Sequence, residues 1–511
     1  MQHDITVLKD SYKDSVRLLE ATRAIQALDG VDYGWTVMAT DTNIDTLRNE
    51  GFEGFGDTTA NDLLIALRTS DADTAAAALA LAKDTLFSAT TGSSDEEMAS
   101  IGSLRDAIDT LDGANVAIVS VPGPYAALET QKALTAGLDV LLFSDNVDVD
   151  QEIELKQRAR SLGRLVMGPG AGTAMLAGTG LGFANRVSPG PVGVVAAAGT
   201  GAQEVMSLLD RWGIGITHVI GVGGRDLSTE VGGLMAISAI EALESHEQTE
   251  AILFVSKPPA PEVAERLLGV ERSKPMIAAM IGLRQELDGV ADGILVCNTL
   301  EKGAVLTGEA LGRPIPDLFG ETPNEIATEM MRLDQNRRRL VGLFSGGTLA
   351  YEAMTIAAPH IGPIHSNTPL EKEWALPAPD GAHVCLDLGE EEYTVGRPHP
   401  MIDPEARIGW MAEQVDDPSV AVVLIDVVIG DGSHPDPAGL LAPAARQIIE
   451  SGATVVAYVL GTHSDPQGFE AQRETLRSVG CIVPETAARA ALAASAIVNR
   501  DPALVVSEAG E

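Results

Sequence analysis

The sequence predicts an α/β protein built on parallel sheets, and three observations carry that expectation. Short runs rich in Val, Ile and Leu alternate with longer Ala/Leu/Glu segments at helical spacing. Most of these runs end in a Gly, Pro or Ser turn that leads straight into a helix. Many of the runs are apolar throughout rather than alternating, as in strands covered on both faces.

In chain order the strand candidates are Trp35 to Met38, Leu63 to Leu67, Val116 to Val121, Val140 to Phe143, Leu165 to Met167, Val192 to Ala196, His218 to Gly221, Ile252 to Val255 and Met276 to Met280. The later ones are Leu340 to Phe344, Val384 to Asp387, Ala421 to Ile429, Thr454 to Leu460 and Cys481 to Val483. A Pro/Gly cluster, Ser188-Pro189-Gly190-Pro191, precedes one new strand, and the charged cluster Asp334 to Arg339 precedes another. They divide the 511 residues into parts 1–188, 189–335 and 336–511, in line with about 150 residues per domain.

The apolar fraction of 45% lets each part bury a core, so disorder is not expected. The balance of 35 Lys and Arg against 73 Asp and Glu repels phosphate backbones and anionic lipid, which argues against nucleic acid and membrane partners. Cys297, Cys385 and Cys481 are far apart and odd in number, giving neither a disulfide framework nor a CxxC metal pair. No metal site is expected. With charged residues beside Met1 and Asp426 interrupting the most apolar run, a cytoplasmic location is expected.

One internal repeat stands out. Gly199-Thr200-Gly201-Ala202-Gln203-Glu204-Val205-Met206 matches Gly347-Thr348-Leu349-Ala350-Tyr351-Glu352-Ala353-Met354 as GTxAxExM, and each copy follows a strand that begins Val-Gly. The context points to a duplication relating the second and third parts. A strand that turns through small residues into a helix exposes unpaired amides and the positive end of the helix dipole. Gly199, Thr200 and Gly201 in one copy, and Gly346, Gly347 and Thr348 in the other, are therefore candidate phosphate-binding residues. Two such turns facing each other could hold one phosphoryl group.

Polar residues at other strand ends supply further candidates, because ligands of open α/β sheets sit there. Arg225 and Asp226 follow one strand, Lys257 follows another, and the loop Gly396 to Pro404 carries Arg397, His399 and Asp403. Arg225 and Arg397 are read either as substrate-carboxylate ligands or as salt-bridge partners, and His399 as a general acid or a structural hydrogen-bonding residue. Asp226, Lys257 and Asp403 are substrate-binding candidates. No GxxxxGK[ST] loop, GxSxG elbow, HExxH helix or strand-anchored GxGxxG is present.

The runs Leu142 to Val147, Val166 to Pro169, Gly221 to Ser228, Phe254 to Pro259, Ser345 to Ala350, Tyr393 to Pro404 and Leu424 to Gly430 resemble the FdrA family, distant relatives of succinyl-CoA synthetase. The resemblance implies a Rossmann-like domain of CoA-binding type over 1–188, then two flavodoxin-like ligase domains over 189–335 and 336–511. It also implies a carbamoyltransferase subunit that converts oxalurate and phosphate to oxamate and carbamoyl phosphate in allantoin catabolism, working with two other subunit types on a small anionic substrate. Phosphate or carbamoyl phosphate would then be the ligand of the glycine turns. The phosphohistidine loop of succinyl-CoA synthetases has no counterpart, since Met276 to Met280 continues as Ile281-Gly282-Leu283-Arg284 with no histidine between His246 and His360. No CoA loop is evident before Val31 either. The alternatives are an acyl-CoA synthetase that dispenses with that histidine, or a scaffold subunit.

Overall fold

A computed structural model of the chain describes residues 2–13, 15–87, 103–111, 113–270, 272–283, 287, 289–320, 322–394 and 398–506. It divides into two compact units, residues 1–100 with 389–403, and residues 101–388 with 404–511.

The first unit carries β1 (Gln2–Leu8), α1 (Ser15–Gln26), β2 (Val31–Met38), α2 (Asp41–Asn49), β3 (Leu63–Thr69) and α3 (Ala72–Phe87). Its three strands lie in the order β1-β3-β2, every pair antiparallel. Leu63, Ile65 and Leu67 pack with α1 and α3 residues such as Ala21, Ile25, Ala78 and Ala82, while Leu64 and Ala66 meet Leu47, Phe52 and Phe55 on the opposite face. The first hundred residues therefore do not share a parallel Rossmann-like sheet with residues up to 188, as the sequence led us to expect. A run of β-branched residues specifies a strand but not the direction of its neighbour.

The second unit begins with α4 (Leu104–Thr110), β4 (Val116–Val119), α5 (Gly123–Thr135), β5 (Asp139–Leu142), α6 (Val149–Ser161) and β6 (Val166–Met167), whose three strands form a parallel sheet. A hairpin of β7 (Thr173–Leu176) and β8 (Thr179–Gly182) leads into the first of two sister modules. That module holds β9 (Pro189–Ala196), α7 (Gly199–Arg211), β10 (Ile216–Gly221), α8 (Leu234–Ser245), β11 (Ala251–Ser256), α9 (Pro261–Leu268), β12 (Met276–Met280), β13 (Ile294–Cys297) and α10 (Leu300–Ala310). Its parallel strands run β10-β9-β11-β12-β13, and the hairpin adds antiparallel strands beside β10.

After α11 (Thr322–Arg332), the second module holds β14 (Arg339–Phe344), α12 (Gly347–Ile361), β15 (Ile364–His365) and β16 (His383–Asp387). The short α13 (Glu391–Thr394) lies in the segment belonging to the first unit. The module continues with α14 (Glu405–Glu413), β17 (Val420–Val428), α15 (Pro437–Glu450), β18 (Thr454–Leu460), α16 (Phe469–Ser478) and α17 (Ala487–Asn499). Its parallel sheet runs β15-β16-β14-β17-β18, extended by a parallel bridge from Val456 to Ile482. The shared order β10-β9-β11-β12-β13 and β16-β14-β17-β18-Ile482 is the flavodoxin-like 2-1-3-4-5 order, so the repeat in the sequence is a repeat of architecture.

Burial explains the composition of these elements. All nine residues of β17 are buried, as expected of a central strand covered on both faces. Helix α7 is buried continuously from Thr200 to Leu209, and α17 from Ala488 to Val498. A helix buried on every side is one that others surround. Among the described residues no helix is long and apolar enough to cross a membrane.

Candidate functional site

In a 2-1-3-4-5 sheet, ligands bind beyond the C-terminal ends of the strands, where the strand order reverses. In the first module that place is the end of β9, flanked by β10 and β11. Ala197 and Ala198 carry the chain from β9 to Gly199, where α7 begins, and no side chain caps the helix. Gly199 is exposed. Among the described residues no chain acceptor meets the amides of Gly199, Thr200 or Gly201, whereas the next one, of Ala202, returns to the carbonyl of Ala198. Of these three donors at the positive end of the helix, the one on Gly199 is at an exposed residue, while Thr200 and Gly201 are buried. Gly199 borders a cleft of about 250 Å³ including its open mouth, lined by Gly170 to Thr173, Ala196 to Gly199, Ala202, Gly221, Gly223 and Gly224. Gly223 needs to be glycine twice over, with φ of 84° and the backbone of Gly168 and Pro169 where a Cβ would stand.

The second turn is built alike but closed. The Asp426 carboxylate accepts from the amides of Ser345 and Gly346, both at 2.8 Å, and from the Ser345 hydroxyl. The amide of Thr348 donates to the Thr200 hydroxyl at 3.3 Å. A Cβ on Gly346 would stand 2.8 Å from Thr200 Cγ2, and one on Gly347 would collide with the Asp387 carboxylate. The two turns are therefore brought together, as expected, but they do not close around a shared ligand. The readings of Gly346 and Thr348 as phosphate ligands are corrected, because those amides already have acceptors within the protein. Gly347 faces a carboxylate.

Two other candidates, Arg225 and Asp226, are taken up by the fold itself. Lys156 is fully buried and holds Glu152 at 2.7 Å, Asp226 at 2.9 Å and the carbonyl of Val222 at 3.0 Å. Asp226 also accepts from the Met235 and Ala236 amides at the start of α8. Every role of Asp226 is thus taken by folding the loop after β10, which corrects its reading as a substrate ligand. Arg225 pairs with Glu152 at 2.9 Å and donates to the carbonyl of Val147, the salt-bridge outcome of the two left open for it. Lys257 is exposed, with its ammonium 4.3 Å from the centre of the Tyr351 ring. It leaves β11 beside the first turn, since the amide of Ala197 donates to the carbonyl of Val255. His399 and Asp403 belong to the first unit, where the His399 ring accepts from the Met401 amide and Asp403 lies 3.6 Å from Arg23. Arg397 lies outside the described residues.

The sequence shows the two glutamates of the repeat, Glu204 and Glu352, but not what they bind. Glu204 accepts from the Tyr458 hydroxyl at 2.6 Å and from the amide of Ala487, at the start of α17 in the other module. Glu352 accepts from the amide of Leu300, at the start of α10 in the first module, at 2.6 Å. Each module thus lends a glutamate to the last helix of its sister. Burial pushes the carboxyl of Glu352 up to about 8, helped by Glu204 and Glu301 nearby, and raises that of Glu204 in the same direction. The Glu352 Oε2 atom has no partner among the described residues. The identical Glu at the same place in both copies of GTxAxExM was the available signal.

Two sister flavodoxin-like modules, one with a bare-amide turn at the switch point, have the CoA-ligase type of fold, related to that of succinyl-CoA synthetases. Residues 343–497 match the CoA-ligase family and residues 187–278 the CoA binding domain. The chain belongs to the family of YahF from Escherichia coli (strain K12), with which it is 36% identical over 514 residues, covering 97% of this chain and 98% of YahF. It is also 27% identical over 238 residues to subunit alpha 2 of the ADP-forming succinate–CoA ligase of Archaeoglobus fulgidus, covering 44% of this chain and 78% of that one. Among solved structures, PH0766 from Pyrococcus horikoshii OT3 aligns over 78% of this chain and 87% of its own, at 16% identity and a TM-score of 0.33. The CoA-binding description thus falls on the first sister module and not on residues 1–188.

Residues 1–100 match the heavy metal-associated domain of AllF. They contain no cysteine and a single histidine, His3, whose ring packs against Phe52 with centroids 5.2 Å apart. Among the described residues no group of three His, Cys, Asp or Glu is placed to hold a metal ion. This donor set does not fit a soft, thiolate-seeking ion.

Proposed function

We propose that the protein is a group-transfer enzyme, or a subunit of one, of the CoA-ligase type, and that the turn at the start of α7 seats the phosphoryl end of an acyl phosphate. The observation that carries this reading is the start of α7, where the amides of Gly199, Thr200 and Gly201 meet no acceptor among the described residues and the exposed Gly199 lines a cleft of glycine and alanine. The matches of residues 343–497 to the CoA-ligase family and of residues 187–278 to the CoA binding domain support it.

The chemistry follows from where charge moves. A nucleophile attacks the acyl carbon, the bond from that carbon to the phosphate oxygen breaks, and the phosphate leaves with the electron pair. Amides already aimed at that oxygen stabilise it without reorganising. A protein of charge −38 needs such local donors to hold a dianion at all. Coenzyme A would supply the thiol nucleophile, whose proton passes to the departing phosphate or to water. Lys257, at the neighbouring strand end, is placed to meet the remaining negative charge of the substrate. The uncharged, small-residue walls favour a small acyl group.

Carbamoyl phosphate is one such acyl phosphate, and the resemblance to FdrA makes it the first to try alongside acetyl phosphate. In that case oxamate and two further subunit types would complete the reaction. Gly199→Pro tests the seat, because proline is accepted at the first helical position yet has no N–H. Loss of one hydrogen bond to a charged group is worth about 1.5–3 kcal/mol, so phosphate affinity by calorimetry should fall about ten- to a hundredfold. Gly199→Ala, whose added methyl has 3.7 Å to the nearest atom, should leave it unchanged. Equal phosphate affinity in wild type and Gly199→Pro would refute the seat.

A further inference from the structure

The sister modules treat the start of their first helix differently, and one residue makes the difference. Strand pairing sets Leu343 beside Ile425 in the second module and Val195 beside Phe254 in the first. The next residue is Asp426 in one and Val255 in the other. Val255 offers only its carbonyl, which takes the amide of Ala197. Asp426 sends a carboxylate under the turn. We infer that Asp426 is a built-in anion, filling a seat that the second module would otherwise offer to an external carboxylate or phosphate, so that the chain keeps one open seat instead of two. This goes beyond the proposed function and holds whatever ligand the α7 turn takes.

The seat is fully formed around Asp426. Its Oδ1 accepts from the amide of Ser345 at 2.8 Å, the hydroxyl of Ser345 at 3.0 Å and Arg407 Nη1 at 2.6 Å, and its Oδ2 accepts from the amide of Gly346 at 2.8 Å. Asp426 is 0% exposed and Arg407 2%. Arg407 is anchored independently, by the carbonyls of Leu343 and Asp426, and its Nε has no partner among the described residues. Two amides, a hydroxyl and a guanidinium converging on one point are the donors that recognise a carboxylate or a phosphoryl group. Nothing about the seat is specific to an aspartate of the same chain.

Asp426→Ala empties it. Thermal melting of the full chain, wild type beside Asp426→Ala, is compared in phosphate, formate and chloride at equal ionic strength. Phosphate and formate should raise the melting temperature of the variant by several degrees more than that of wild type, while chloride treats both alike. The wild-type arm removes the general stabilisation that phosphate gives any folded protein. Should the variant fail to fold in chloride, its refolding yield in phosphate or formate reads the same effect. Calorimetry should find one more phosphate bound per chain than in wild type, and the gain should persist when Gly199→Pro is added. That persistence separates this inference from the α7 seat, which can fail alone. Asp426→Asn, which still fills the space, should show no anion response. An Asp426→Ala protein that answers the three salts as wild type does, or an Asp426→Asn protein that answers like Asp426→Ala, overturns the inference.

Discussion

Replacing Glu352 by glutamine should make the protein more resistant to heat at pH 8 than wild type, although it removes no contact. Glu352 is buried beside Glu204 and Glu301, and its carboxyl is pushed from 4.5 up to about 8. Unfolding returns it to water and to its ordinary value. Between pH 4.5 and 8 the folded state therefore holds a proton that the unfolded state releases, and linkage makes stability fall as pH rises through that window. The slope is about 1.4 kcal/mol per pH unit, on the order of 5 kcal/mol over the whole window. Glutamine keeps the oxygen that accepts from the Leu300 amide and never ionises, so the variant lacks this loss. At pH 5 the two proteins should melt within a few degrees of each other, with the variant slightly lower if its extra N–H finds no acceptor. At pH 8 the variant should melt several degrees higher. The assay is thermal denaturation of both proteins at half-unit steps from pH 5 to 9, read as the difference between them. A difference that stays flat across that range would refute the buried, proton-holding carboxyl.

Three other substitutions test the structural assignments. Lys156→Met strands Glu152 and Asp226 in a site that is fully buried, and should cost about 3–5 kcal/mol in denaturant unfolding; a cost below 1 kcal/mol would mean that water reaches the triad. Tyr458→Phe removes the donor to Glu204 and should cost about 1–3 kcal/mol by the same measurement, with no change in phosphate binding. Arg225→Ala should leave phosphate and acyl phosphate affinity within about twofold of wild type, because the guanidinium serves Glu152 and Val147; a tenfold loss by calorimetry would restore it to the site.

The sheets of the second unit were legible because their strands announce themselves. Val192 to Ala196, Ile252 to Val255, Met276 to Met280, Leu340 to Phe344 and Thr454 to Leu460 are apolar runs with a turn at each end, and each lies within an observed strand. The strands that escaped notice lack that mark. β1 mixes charged and apolar residues, β7 and β8 are four-residue pieces among glycines, and β13 has an exposed Leu295. The bare turn at Gly199 could be seen because glycine and threonine before a helix advertise free amides. The occupation of its sister could not. Asp426 lies 80 residues from Gly346, and only the pairing of β14 with β17 brings the two together. Arg225 and Asp226 looked like ligands for the opposite reason, since their partners Glu152 and Lys156 sit on a helix about 70 residues earlier. Short-range pattern shows which groups are available, and tertiary pairing decides which are already taken.

One turn is open and its sister is shut by the protein's own carboxylate, that of Asp426. The measurement that bears on it most directly is a crystal structure of the full chain soaked with a heavy tetrahedral oxyanion such as tungstate, at a concentration matched to the phosphate titration. Anomalous density should appear at the amides of Gly199, Thr200 and Gly201, with Asp426 still bonded to Ser345 and Gly346. Density at the α12 turn with Asp426 swung aside, or an α7 turn left empty, would contradict it.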